Sequence, residues 1–317
     1  MKVTEALKNS SKPYPTFEML PPLKGKKIDS IYEILDPLME FKPPFINVTY
    51  HSSEYTYKER PNGYLEKVSI RKRPGTVGIC ASIMYKYKVE AIAHLICGGF
   101  SKNETEDALI DLHYIGVKNI LVLRGDPPKN ERIFKPEVNG HSSAIELLKQ
   151  IVNINNGIYQ EEDLKDGVNT DFCCGVAGYP EKHCEAANLT SDLNFLKNKI
   201  DAGAEYIVTQ MFFDNKKYFD FLERCWNAGI TVPIIPGLKP ITARNQITKI
   251  PSTFHVDIPE DLYNGIINCK DDKEATRVGI EWTIAQGKEL LAHGSPCLHF
   301  FTMSHPKPIV EISRALF

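Results

Sequence analysis

The chain has 317 residues, 42% of them hydrophobic and 25% charged, with a formal net charge of −2 and a pI near 6.5. This is ordinary globular composition, long enough for one α/β barrel or two smaller domains. It offers no general basic field for nucleic acid, no apolar run of the roughly 18 residues a membrane span needs, and no apolar signal-peptide core at its start.

Eight cysteines without a Cys-x-x-Cys pair give neither a disulfide framework nor a metal site. Cys173 and Cys174 sit in an apolar run, where buried thiols are usual, and a reducing, cytoplasmic location is expected. Residues 1–13 are polar and read as a helix or a frayed arm. Residues 14–22 give a short apolar strand closed by Pro21 and Pro22, with Glu18 inside it. A carboxylate there is costly unless paired or used, and burial would raise its pKa.

Ile31, Ile34, Leu35 and Leu38 share one face of a helix over 31–41. The second strand, 45–50, ends in Thr49 and Tyr50. Residues 67–73 are basic, which by itself reads as a solvated face. Residues 75–87 read as helix and 89–97 as a third strand holding His94. Ser101 and Glu104 form a capping box opening a helix to Tyr114, and Gly116 ends it.

Residues 119–128, Asn-Ile-Leu-Val-Leu-Arg-Gly-Asp-Pro-Pro, are the most informative stretch. The apolar run 120–123 is the pattern of a strand buried on both faces, and it ends in Arg124, Gly125 and Asp126. A strand that finishes in one cation and one anion puts a charged pair at its carboxyl end, where parallel barrels keep their chemistry. Residues 129–141 form a loop, 144–153 a helix and 155–170 a polar connection. The fifth strand, 172–181, ends in Tyr179, Pro180 and Glu181. A helix over 192–202 carries Asp192 and Lys199 on one face, two turns apart. The sixth strand, 204–213, has its regular part end at Thr209 and Gln210, and a helix over 218–228 follows. Prolines at the end of the seventh, 232–240, demand irregularity there. Helices over 258–267 and 276–292, an eighth strand over 298–303 and a closing helix from Ile309 complete the chain.

Strands alternating with helices predict an α/β fold, a (β/α)8 TIM barrel, as a single unit over 1–317 with a short N-terminal arm. A doubly wound sheet is weakened by the absence of Gly-x-Gly-x-x-Gly after a strand. The barrel gathers Glu18, Thr49, His94, Arg124, Asp126, Tyr179, Gln210 and Lys239 around one rim. On the residues alone, several readings stay open. Lys239 could be the Schiff-base lysine of a lyase. Glu18 and Asp126 could be the carboxylate pair of a glycoside hydrolase, although only two tryptophans are present for sugar stacking. A cofactor-free binding protein is a third reading, against which the clustered charges argue.

The strand ends also resemble a known family. Phe17-Glu18 with Pro21-Pro22, Val48-Thr49-Tyr50, Leu123-Arg124-Gly125-Asp126, Tyr179-Pro180-Glu181-Lys182-His183, Thr209-Gln210, Pro236-Gly237 and His299-Phe300 resemble methylenetetrahydrofolate reductase, in the family's order and across essentially the whole chain. The resemblance implies a flavin-dependent barrel that converts 5,10-methylenetetrahydrofolate to 5-methyltetrahydrofolate with NADH or NADPH, ping-pong at one flavin face, in one-carbon metabolism and methionine synthesis. It implies that Glu18 is the general acid that helps open the folate ring, supplied as a neutral carboxyl by desolvation. Asp126 would be the carboxylate beside flavin and pterin, and Gln210 the amide on the folate head group.

Thr49, His94, Arg124, Asp126, Tyr179, His183, Asp192 and Lys199 would hold FAD, the basic ones at ribose and pyrophosphate. Arg244 and His305 would line the substrate pocket, standing where the family usually has an aromatic and an arginine. Met19-Leu20 stands where two aromatics are usual. Folate and nicotinamide are the expected partners, with no metal, nucleic acid or membrane, in a homo-oligomer. The chain ends just after the barrel, so the short bacterial form without a regulatory domain is expected.

Overall fold

The computed structural model describes residues 1–127, 131, 133–161 and 163–317. Pro128, loop positions 129, 130 and 132, and residue 162 of the polar connection lie outside the described residues. In chain order the elements are α1 (Val3–Asn9), β1 (Tyr14–Met19), α2 (Asp29–Leu35), β2 (Phe45–Val48), β3 (Glu54–Glu59), β4 (Leu65–Ile70), α3 (Thr76–Tyr87), β5 (Glu90–Ile96) and α4 (Lys102–Tyr114). Then come β6 (Asn119–Leu123), α5 (Ala144–Asn155), β7 (Cys173–Gly178), α6 (Leu189–Asp201), β8 (Tyr206–Met211), α7 (Asn215–Asn227) and β9 (Ile234–Leu238). The chain closes with α8 (Gln246–Phe254), α9 (Glu260–Ile267), α10 (Asp272–Ala292), β10 (Cys297–Phe301) and α11 (Pro306–Leu316).

Eight strands close into one barrel in the order β1-β10-β9-β8-β7-β6-β5-β2, every pair parallel. The chain is a (β/α)8 barrel, as its alternating pattern predicts. Side chains alternate across each strand. Phe17, Met19, Ile46, Val48, Ala93, Val122, Val176, Ile207, Leu298 and Phe300 pack outward in the layer shared with the helices. Phe45, Ile92, Leu121, Cys173, Tyr206, Val208, Ile235 and Cys297 fill the barrel interior. On β1 that phase puts Phe17 and Met19 on the helix side, and Thr16 and Glu18 inside. Met19 therefore packs in the helix layer behind Glu18.

Several local departures from the sequence reading have clear causes. The expected helix over 31–41 splits into α2 and a 3-10 segment, Asp36–Phe41, because Pro37 removes a donor and crowds the preceding turn. The basic stretch around 67–73 is half of an antiparallel hairpin, β3–β4. Asn62-Gly63 turns that hairpin, with Gly63 at φ +78, which glycine adopts without strain. The helix α8 has no counterpart in the sequence reading.

The N-terminal arm is not frayed. Val3 and Ala6 are buried against the interior cluster, so α1 closes the barrel floor. The Val3 amide donates to Asn119 Oδ1 at 2.8 Å, and Asn119 Nδ2 donates to the Met1 carbonyl at 3.0 Å. The terminal amine pairs with Glu90 at 2.6 Å and Lys2 with Asp171 at 2.5 Å.

Candidate active site

The carboxyl ends of the strands form the mouth, and Glu18 is the charged group deepest on the β1 side. Its side chain is 14% exposed, and Oε2 lies between two buried imidazoles, 3.8 Å from His299 Nε2 and 3.9 Å from His94 Nε2. The barrel phase explains the grouping. Glu18, His94 and His299 are the polar inward positions of β1, β5 and β10 just above the apolar floor. Thr16 and His299 are register partners across β1 and β10, with Thr16 Oγ1 2.9 Å from His299 Nδ1. His94 Nε2 lies 3.3 Å from Asn47 Oδ1, and Asn47 is 1% exposed.

This cluster corrects the expectation that desolvation alone keeps Glu18 protonated. Desolvation does push its pKa up, but the close approach of His299 and, when those rings are protonated, the fields of His94, His299 and His51 outweigh it, and the carboxyl lies below its usual range. His94 is also corrected. Burial, only partly opposed by Glu18, drives its pKa down to about 4, so at neutral pH it is an uncharged ring under the mouth and not a phosphate-binding cation.

A second group of expected residues gathers where β7 meets α6. The Tyr179 and His183 rings meet edge to face with centroids 4.7 Å apart. Asp192 Oδ2 accepts the His183 amide at 3.0 Å. Lys199 Nζ donates to the Ala177 carbonyl at 2.9 Å, and a small recess there is lined by Gly178, Tyr179, Asp192, Lys199 and Arg224. Arg124 reaches the same side, but its guanidinium forms a two-pronged pair with Glu185 at 2.5 and 2.8 Å. It must release that partner to serve an anion.

Asp126 is exposed, just past the Gly125 turn, and its charge is felt by Tyr179. Thr49 Oγ1 donates to the Met19 carbonyl at 3.4 Å. Gln210 is half-buried at the irregularity between β8 and β9, its Oε1 accepting the Met211 amide at 2.9 Å. Arg244 is exposed and turned toward α9, with Nη2 donating to the Ile267 carbonyl at 3.3 Å and its amide donating to Asp272 at 2.9 Å. His305 is exposed at the start of α11, its amide donating to the Thr302 carbonyl at 2.9 Å.

The sequence reading gave no role to Thr16 and His299, which complete the Glu18 cluster. The signal was present: two polar residues two positions apart on β1, Thr16 and Glu18, mark an inward face. Glu181 is a further addition. Burial raises its carboxyl to about 7, and Oε1 is buried with no hydrogen-bond partner among the described residues. Lys239 is 8% exposed and lowered to about 8 by burial, its Nζ on the Pro240 carbonyl.

A closed parallel barrel with a buried carboxyl–imidazole cluster at the carboxyl ends of its strands places the chain in the (β/α)8 class. The sequence profile described as methylenetetrahydrofolate reductase matches residues 2–316. The chain belongs to the methylenetetrahydrofolate reductase family. It is 30% identical to 5,10-methylenetetrahydrofolate reductase of Escherichia coli K12, covering 95% of this chain and 90% of that one. It is 31% identical to methylenetetrahydrofolate reductase 1 of Schizosaccharomyces pombe, covering 95% of this chain but 45% of the relative. The chain thus spans about half the length of the eukaryotic relatives it matches. Among solved structures, an uncharacterized protein from Clostridium thermocellum that binds two copies of 5-methyl-5,6,7,8-tetrahydrofolic acid shares the fold. Its TM-score is 0.58 at 17% identity, over 98% of this chain and 96% of that one.

Proposed function

We propose that this protein reduces 5,10-methylenetetrahydrofolate to 5-methyltetrahydrofolate with NADH or NADPH, through a bound FAD that serves both substrates in turn at one face. The observation that carries the reading is Glu18 between two buried imidazoles at the mouth of a barrel of this family.

The residues where β7 meets α6 fit FAD. Lys199 is a half-buried ammonium that donates to a neutral carbonyl, with Asp192 as the nearby anion, which leaves its charge for a phosphate. Asp192 keeps one carboxylate oxygen for sugar hydroxyls, and Tyr179 and His183 offer ring surface. Thr49, Arg124 and Asp126 complete the proposed set. The flavin supplies a hydride acceptor and donor that no side chain can provide.

The protein's own part is binding and proton transfer. Gln210 orients the folate head group by hydrogen bonds. Glu18 delivers a proton to the ring nitrogen that leaves as the imidazolidine opens, and Asp126 places a negative charge near the resulting iminium. Steady-state assays should give 5-methyltetrahydrofolate and parallel double-reciprocal lines for the two substrates. Intersecting lines would reject the shared face.

Two further results are expected. Asp126→Asn keeps the shape and removes a negative charge, so the midpoint potential of bound flavin should rise and folate reduction slow. An unchanged potential in a redox titration would mean that the carboxylate does not face the flavin.

Lys199 gives a pH dependence. Burial, partly opposed by Asp192, lowers it from 10.5 to about 8. With its pKa depressed on folding, the folded state binds fewer protons between those values, so this group makes the ligand-free protein more stable as pH rises through them. Phosphate binding has the opposite sign because it needs the charged amine. FAD affinity, read by fluorescence, should fall as pH rises through about 8, and Lys199→Met should flatten the dependence. A wild-type affinity flat across that range would take Lys199 out of the phosphate site.

A further inference from the structure

We propose that His299, held in place by Thr16, is the positioning residue that loads Glu18 with the proton it delivers. The proposal rests on the reductase reading above and adds a residue and a direction of proton flow to it. The need is set by the chemistry: a carboxyl that gives its proton to the substrate must be reloaded in every turnover, and the groups beside it are the two imidazoles at 3.8 and 3.9 Å.

The two imidazoles beside Glu18 are not equivalent. His94 Nε2 faces the Asn47 side-chain oxygen at 3.3 Å, an atom that can only accept. With that acceptor opposite, the neutral ring carries its hydrogen on Nε2, and the Asn47 oxygen competes with Glu18 for it. His299 is built otherwise. Its Nδ1 sits 2.9 Å from the Thr16 hydroxyl, while its Nε2 is buried with no hydrogen-bond partner among the described residues and lies 3.8 Å from Glu18 Oε2. Thr16 is 0% exposed, and a buried hydroxyl costs free energy unless bonded, so the pair holds the ring in one orientation. A hydroxyl can donate or accept, so Thr16 satisfies Nδ1 with or without its hydrogen.

The step follows. With His299 as imidazolium, Nδ1–H donates to Thr16 and Nε2–H points at the Glu18 carboxylate. Ligand entering the mouth removes water and disfavours the separated charges. The Nε2–H bond breaks, its electron pair stays on nitrogen, and Oε2–H forms, leaving a neutral imidazole and a neutral carboxylic acid. Glu18 then passes that proton to the leaving nitrogen of the substrate. Once product departs, His299 takes a proton from entering water. The charged or titratable groups facing this exchange are Glu18 on β1, His94 on β5 and His51 after β2; the Phe301 ring meets His299 edge-on at 5.0 Å.

The test uses FAD-loaded full-length protein with His299→Gln and Thr16→Val, measuring each half-reaction separately across pH. In His299→Gln the folate half-reaction should slow by about 10- to 100-fold at neutral pH, toward the lower end of general-acid effects. Its pH profile should move to lower pH, because Glu18 must then be protonated from water. Flavin reduction by NADH should stay within about twofold. Thr16→Val should shift the same profile in the same direction by less. Equal slowing of both half-reactions with an unmoved profile would overturn the proposal by making His299 merely structural. If His299→Gln does not fold, an unmoved profile in Thr16→Val overturns it alone. Wild-type protein that never passes electrons to the folate would instead overturn the reductase reading.

Discussion

Glu18→Gln should slow folate reduction by about 10²- to 10⁴-fold, the span lost with a general acid, while flavin reduction by the nicotinamide persists. Hydride transfer between two rings needs no proton at the folate nitrogen, so the two half-reactions separate the roles. Glutamine keeps the volume of the side chain and removes the negative charge that lies 3.8 and 3.9 Å from the two imidazoles. The variant should therefore bind folate. Stopped-flow traces that show both half-reactions slowed alike would assign Glu18 to structure.

The second large effect is on stability. Removing residues 1–9 should destabilise the barrel by about 3–5 kcal/mol, from the loss of Val3 burial and the stranding of a buried amide side chain. Asn119 is 0% exposed and its side chain bonds to the arm through both its oxygen and its nitrogen, so deletion takes away the partners of donor and acceptor in the floor. Urea unfolding should show a lower midpoint. Asn119→Leu in the shortened chain should recover part of the loss, because it removes the stranded groups. A truncated chain as stable as the full one would mean that the floor seals without α1.

The fold was legible because the strands that close the barrel are apolar runs ending in polar, glycine or proline residues, and the helices carry their own caps, as at Ser101 and Glu104. What escaped was tertiary. The arm buries only Val3 and Ala6, too few to give a pattern, and its anchors lie on Asn119, Glu90 and Asp171 far along the chain. The hairpin escaped because β4 is exposed or half-buried along its length and gives no alternating apolar face, though Asn62-Gly63 was a usable turn signal. At the site, strand-end chemistry located Glu18 and the group around Tyr179, His183, Asp192 and Lys199. It could not tell that His94 and His299 would flank the acid, since that depends on which inward positions share a level in the closed barrel. Nor could it tell that Arg124 would be held by Glu185, or that Arg244 would be turned toward α9.

The central claim is that one bound flavin receives electrons from the nicotinamide and gives them to the folate. It is tested most directly by the visible spectrum of the purified protein under anaerobic conditions. The account predicts an oxidised flavin spectrum that bleaches on adding NADH or NADPH and returns in full on adding 5,10-methylenetetrahydrofolate, with released flavin identified as FAD. A protein that neither carries nor takes up FAD, or one whose bleached flavin is not reoxidised by the folate, would contradict it.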